Sequence, residues 1–338
     1  MTCDHCGCLF NYGRGVAAIR DVNDVALDND RLNGLAWYHT CTYAEWPSAG
    51  YALAWQAELD AAASRKTTFL SNDQLAAWKE KELNKALHVG TYEAAIENML
   101  RRIKDQRDEP GAFYLHRVGL KIDPARINEG FRDENEEPAS QLTTMDPDAE
   151  GLDAVRYLNT YEAIGSLSLA VVPEAIAWVQ TLKLPAPSLA PTHSKPLVQL
   201  LDATQEQLDA LRSVRADLSS IPPRQLRLIR SLGEPGHSGV VAANTVHSEK
   251  VYELRAKVEQ ALCEEYLKGI SPVVANEFVQ AMVCPDDMPV RFYADFFAAS
   301  AVALTDPGAV IALVARQQPR VVALPSRKKR RLIVSRDW

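Results

Sequence analysis

The sequence predicts an α+β N-terminal domain followed by a mostly α-helical C-terminal domain. Three observations carry that expectation. Short β-prone runs alternate with stretches of helical periodicity up to residue 183. Leu184 to Pro196 (LPAPSLAPTHSKP) then places four prolines in thirteen residues, which neither a helix interior nor a central strand tolerates. Beyond it the apolar residues recur almost throughout at helical spacing. With 338 residues, 47% of them hydrophobic, the chain is long enough for two cores. The expected division is 1–183, an extended linker over 184–196 with polyproline character, and 197–338.

Each element has a local reason. Leu35 to Thr42 is aromatic and β-prone. Tyr51 to Ala63 and Asp73 to Ala86 carry helical stripes, and Ala86 to Thr91 reads as a short strand. Ala94, Ala95, Met99, Leu100 and Ile103 form one face of a further helix. Phe113 to Ile122 fits a strand, residues 130–153 an acidic loop, and Ser166 to Val172 a buried strand that Pro173 stops. After the prolines, helices are expected over Leu197 to Leu218, Leu226 to Leu232, Ser248 to Leu267, Pro272 to Val283 and Val290 to Leu304, with a turn at Glu234 to Ser238. Val321 to Leu324 and Arg331 to Val334 flank a basic turn and read as a terminal β-hairpin.

Charge and cysteine use narrow the function classes. The net charge is −7, but residues 1–196 hold 19 Lys+Arg against 28 Asp+Glu. So acidic a body binds nucleic acid poorly in general, and any such binding belongs to the basic tail around Arg327 to Arg331. No apolar run reaches the roughly 18 residues that span a bilayer, so no membrane partner is expected. The start lacks a basic and apolar leader, and six cysteines then point to a reducing, cytoplasmic setting. Cys3, Cys6 and Cys8 crowd the terminus with His5, yet no second ligand pair at short spacing completes a tetrahedral site, so no metal is expected.

Three segments place a chemically useful side chain on or beside a β-prone run: Trp37-Tyr38-His39-Thr40, Leu87-His88-Val89-Gly90-Thr91, and Asn159-Thr160-Tyr161-Glu162 ahead of the strand at Ser166. Their order resembles the ADP-ribosyltransferase fold, in its poly(ADP-ribose) polymerase and diphtheria-toxin-like branch. There, a first strand ends in a histidine followed by Gly-Ser or Gly-Thr. A second strand carries a tyrosine and leads into a helix that begins with small residues. A third begins at or just after a glutamate. The likeness covers roughly residues 31–175. It departs at Thr40, which stands where glycine is usual, and at His88, which stands where tyrosine is usual. A second register is open, in which His88 to Thr91 is the first strand and Tyr114 fills the tyrosine position.

The resemblance implies a split β-sheet and transfer of ADP-ribose from NAD to a macromolecular acceptor, protein or nucleic acid, or simple NAD cleavage. Breaking the nicotinamide–ribose bond passes through an oxocarbenium-like state, which a carboxylate stabilises. Glu162 would fill that role. His88 would stack on the nicotinamide, His39 would hold the adenosine ribose, and backbone at Thr40 and Cys41 would grip the carboxamide. Arg20 and Arg31 are candidates for the pyrophosphate. His39 and His88 are expected on neighbouring strands facing one cleft. His116, His193 and His237 are expected outside the site, the last two exposed. The helical half would contact the acceptor or a partner. Two rivals remain: an inactive nucleotide-binding or assembly protein on the same fold, and an RNA-phosphate-processing transferase of related fold.

Overall fold

The computed structural model describes residues 17–66, 71–133, 142, 151–218, 238–285 and 288–322 of a mixed α and β chain. Two compact units divide it: residues 1–184 with 311–338, and residues 185–310.

The first unit holds every described strand. In chain order its elements are β1 (Trp37–Cys41), α1 (Ala49–Lys66), α2 (Asn72–Leu83), β2 (Leu87–Val89), α3 (Tyr92–Arg101), β3 (Tyr114–Leu120), β4 (Arg132–Asp133), β5 (Ala154–Leu158), β6 (Leu167–Val171), β7 (Ile176–Lys183) and β8 (Arg320–Val321). They form two four-stranded sheets, β1-β3-β7-β8 and β2-β6-β5-β4. All pairings are antiparallel except β4 with β5. The sheets touch at one bridge, where Tyr38 and Gly90 exchange both backbone hydrogen bonds at 2.9 Å.

Local chemistry explains the boundaries. Ser71 and Gln74 close a reciprocal capping box at α2, and the Thr91 hydroxyl accepts from the Ala94 amide to start α3. Tyr92, Ala95, Ile96, Met99 and Leu100 form the buried stripe of α3. A π-helical turn at Arg102–Gln106 then ends it at Arg107, which adopts a left-handed φ of 62°. β5 and β6 are buried along their whole length; β6 reads in the sequence as a buried strand, whereas β5, which carries the buried Arg156, is not expected from it. Trp37, Cys41, Val118 and Val179 of one sheet share a single core with Val89, Leu167, Leu169 and Val171 of the other.

Pro173 interrupts the chain as expected, but only for one 3-10 turn. The chain then resumes as β7, the longest strand, which the sequence reading omits. β7 is also why the end of the chain belongs with the first unit. Val321 and Arg320 pair with Trp178 and Val179, although the sequence assigned them to the helical half. The remainder of the expected basic hairpin lies outside the described residues, as do Leu226 to Leu232, most of the Glu234 to Ser238 turn, residues 134–141 and 143–150 of the acidic loop expected over 130–153, and the N-terminal cysteines; the start of that loop holds β4 instead.

The second unit is helical: α4 (Lys195–Leu218), α5 (Ser238–Tyr266), α6 (Pro272–Ala281), α7 (Val290–Thr305) and the start of α8 (Pro307–Ala315). Phe278, Phe297 and Tyr293 interlock edge to face in its core, with ring separations of 5.0 and 5.9 Å. The Pro-rich stretch is part of this unit rather than a free spacer. The Ser194 amide and hydroxyl both donate to the Glu265 carboxylate, and His193 bridges the Tyr266 hydroxyl and Asp295. His193, expected in solvent, is therefore only 9% exposed. Among the described residues no single helix is long and apolar enough to cross a membrane.

Candidate functional site

At the split between the sheets His39 meets the backbone of His88; the other candidate residues lie elsewhere. Past the Tyr38–Gly90 pair, a continuing antiparallel ladder would set Thr40 opposite His88. Instead, the strands part and the His88 carbonyl accepts from Nδ1 of the His39 ring at 2.9 Å. That bond places the proton on Nδ1 and leaves Nε2 as a lone-pair acceptor, with no hydrogen-bond partner among the described residues. The ring lies stacked on Trp46, with centroids 4.1 Å apart and planes inclined by 19°. Burial, and secondarily His116, hold the His39 pKa well below the usual imidazole range, so the ring is neutral at physiological pH.

Strand alternation places the other candidates. Thr40 faces α3, where its fully buried hydroxyl donates to the Ala95 carbonyl at 2.6 Å. Cys41 shares the His39 face. It is buried beside His116, and burial pushes its thiol up to about 12, so it is no nucleophile. His88 lies two residues from Gly90 and faces Tyr157, whose hydroxyl is 3.1 Å from its Nδ1. Its Nε2 is buried without a hydrogen-bond partner among the described residues, and burial drives its pKa down to about 4. The rings of His39 and His88 thus occupy opposite faces, and only the His88 backbone meets His39. This corrects the expectation of one shared cleft. The cause is the period-two alternation counted from the Tyr38–Gly90 bridge.

Glu162 sits on a loop pinned to α3. Arg101 donates through Nε and Nη2 to its Oε1, at 2.6 and 2.5 Å. Glu97 accepts from the Ala163 amide at 2.6 Å, beside the left-handed pair Ala163 and Gly165. Asn98 reaches the Arg101 guanidinium with its amide oxygen and the Thr40 hydroxyl with its amide nitrogen, the latter at 3.5 Å. Thr40 and Glu162 therefore lie at the two ends of one polar chain along α3. Tyr114, half-buried on β3, pairs with Cys41 and carries Lys183 Nζ 4.9 Å above its ring. Arg20 joins the Glu162 loop by its backbone amide to Gly165, and Arg31 is exposed in a 3-10 turn.

Several site-forming residues escape the sequence reading. Trp46 carries no motif, and only the contact reveals it as the surface on which His39 lies. Asn98 and Arg101 read simply as the polar side of a helix. His116, expected as a packing or strand-edge residue, lies on the central strand β3 beside His39, 6.1 Å between ring centroids; its Nε2 meets the Tyr43 carbonyl at 3.1 Å and its Nδ1 the Thr181 hydroxyl at 3.0 Å. Among the described residues no cluster of three or more His, Cys, Asp or Glu is arranged to hold a metal. No protein-family model, curated protein or solved structure matches the chain, so its functional reading rests on these contacts.

Proposed function

We propose that the first unit binds NAD at the split between its sheets and transfers ADP-ribose to a macromolecular acceptor, on an ADP-ribosyltransferase-like split sheet. The observation that carries this reading is His39: a neutral ring, stacked on Trp46 at the point where the sheets part, with an Nε2 that has no hydrogen-bond partner among the described residues. A ribose hydroxyl donates to such a nitrogen, so His39 acts as acceptor in the ribose contact. Cleavage breaks the C1′–N bond and nicotinamide leaves with the bonding pair. The acceptor's nucleophile then attacks C1′ and gives up its proton. Glu162 supplies the negative charge that stabilises the cationic ribose, an interaction worth most in the transition state. The buried His88 and Thr40 side chains position the strand ends.

A second reading, an inactive nucleotide-binding protein, is favoured by one observation: Arg101 grips the Glu162 carboxylate with two donors. Incubation of the full chain with NAD separates the two. Release of nicotinamide, abolished by Glu162→Gln with NAD affinity retained, supports transfer. NAD binding without release supports the inactive reading, and absence of NAD binding overturns both. Labelled NAD in a cell lysate then identifies the acceptor.

A further inference from the structure

Tyr38, Arg117 and Gln180 form one cross-strand row on the face of the sheet opposite His39. The row fixes the Arg117 guanidinium from three sides. Gln180 spends both amide hydrogens on the Ala315 and Gln317 carbonyls, each at 2.7 Å, so its oxygen must face Arg117 and accepts from Nη1 at 2.7 Å. The Tyr38 ring lies beside Arg117 on the paired strand, on the other flank. The Trp178 indole lies against it, with 5.2 Å from Cζ to the ring. Trp178 in turn can occupy that position only because residue 119 is glycine, where a Cβ would come within 2.1 Å of the indole.

All three supports are electrically neutral. Among the described residues no carboxylate forms an ion pair with Arg117, and the one carboxylate that raises the Tyr38 pKa is Glu93, exposed on the first turn of α3. A half-buried cation held rigidly without a counter-charge has lost part of its hydration, and its remaining donors keep the planar fork that matches an oxyanion. Tyr92 packs edge-on against Tyr38 at 5.6 Å, which brings the positive end of α3 to the same place. Glu162 stands at the other end of α3, about 13 Å along the helix at 1.5 Å per residue.

We propose that Arg117, with Tyr38, Gln180 and Trp178, forms a binding site for the phosphate group of a ligand, separate from the His39 split. The test is a titration of the full chain with inorganic phosphate and with pyrophosphate at constant ionic strength, read by melting temperature and by ³¹P line width. A saturable rise in melting temperature is expected. Arg117→Gln should weaken it by about tenfold or more, the loss of charge-assisted hydrogen bonds. Arg117→Lys, which keeps the charge and loses the fork, should weaken it less, and serves alone if the Gln variant does not fold. His39→Ala should leave phosphate binding unchanged. A rise that never saturates, or one that both Arg117 variants reproduce, overturns the proposal. So does loss of binding in a folded His39→Ala protein.

Discussion

Acid should begin to destabilise this protein below about pH 6.5, before its carboxylates titrate. His88 and His116 are held neutral by burial, with pKa values lowered to about 4 and about 3. In the unfolded chain each returns to about 6.5. Between those limits the unfolded state carries protons that the folded state refuses, so stability rises with pH and is lost as pH falls from about 6.5 towards the folded values. Each group contributes about 1.4 kcal/mol per pH unit in that window, and the pair together about 2.7. His39, lowered in the same direction, adds to the slope. From pH 6 to pH 4.5 the loss is about 4 kcal/mol, comparable to the whole stability of many domains. Urea midpoints measured at pH 8, 6.5, 5.5 and 4.5 check this. They should be flat above pH 7 and fall steeply below 6. A midpoint unchanged between pH 7 and 5 would show that these rings are accessible to protons in the folded state and would refute the argument. Histidine ring-proton shifts offer a second reading, since the His116 signals should not titrate above pH 5.

Other perturbations follow from the same contacts. Gly119→Ala should destabilise the first unit by about 1–3 kcal/mol, because the new methyl must displace Trp178, and an unchanged denaturation midpoint would contradict that packing. Thr40→Val should cost about 1–2 kcal/mol through the lost bond to Ala95; an unchanged denaturation midpoint would show that this bond does not hold β1 against α3. Arg320→Ala removes two donors from the Trp46 and Pro47 carbonyls and should loosen the surface under His39. The expected signature is a weaker NAD affinity with little change in melting temperature, checked by titration and calorimetry. An isolated 1–184 fragment should be less soluble than one in which 311–338 is restored, because Gln180 and β7 lose their partners; equal solubility by sedimentation would argue otherwise.

Local patterns were legible where local physics decides the outcome. β1, β2, β3, β6 and the first three helices fall where alternation, apolar runs, stripes and caps indicate. β7 was hidden by Pro173, whose effect lasts one turn and not a whole element. The docking of the Pro-rich stretch was invisible because it depends on Glu265, Tyr266 and Asp295, far along the chain. At the candidate site, the sequence singled out His39 from its strand-end setting. It could not show that His88 faces away, since that depends on which residue pair bridges the two sheets. Glu162 was visible as a carboxylate ahead of a strand, but its engagement by Arg101 arises from a helix sixty residues earlier.

The pairing of β7 with β8 sets an order of events during synthesis. β7 ends at Lys183, and the strand that covers its edge begins at Arg320, so the ribosome must make the whole of residues 185–310 in between. Throughout that interval the nascent sheet presents the free amides and carbonyls of β7, a template for pairing with another chain. The Gln180 amide likewise waits for the Ala315 and Gln317 carbonyls. A pause in translation within the helical unit would therefore prolong the exposure of a β edge already built.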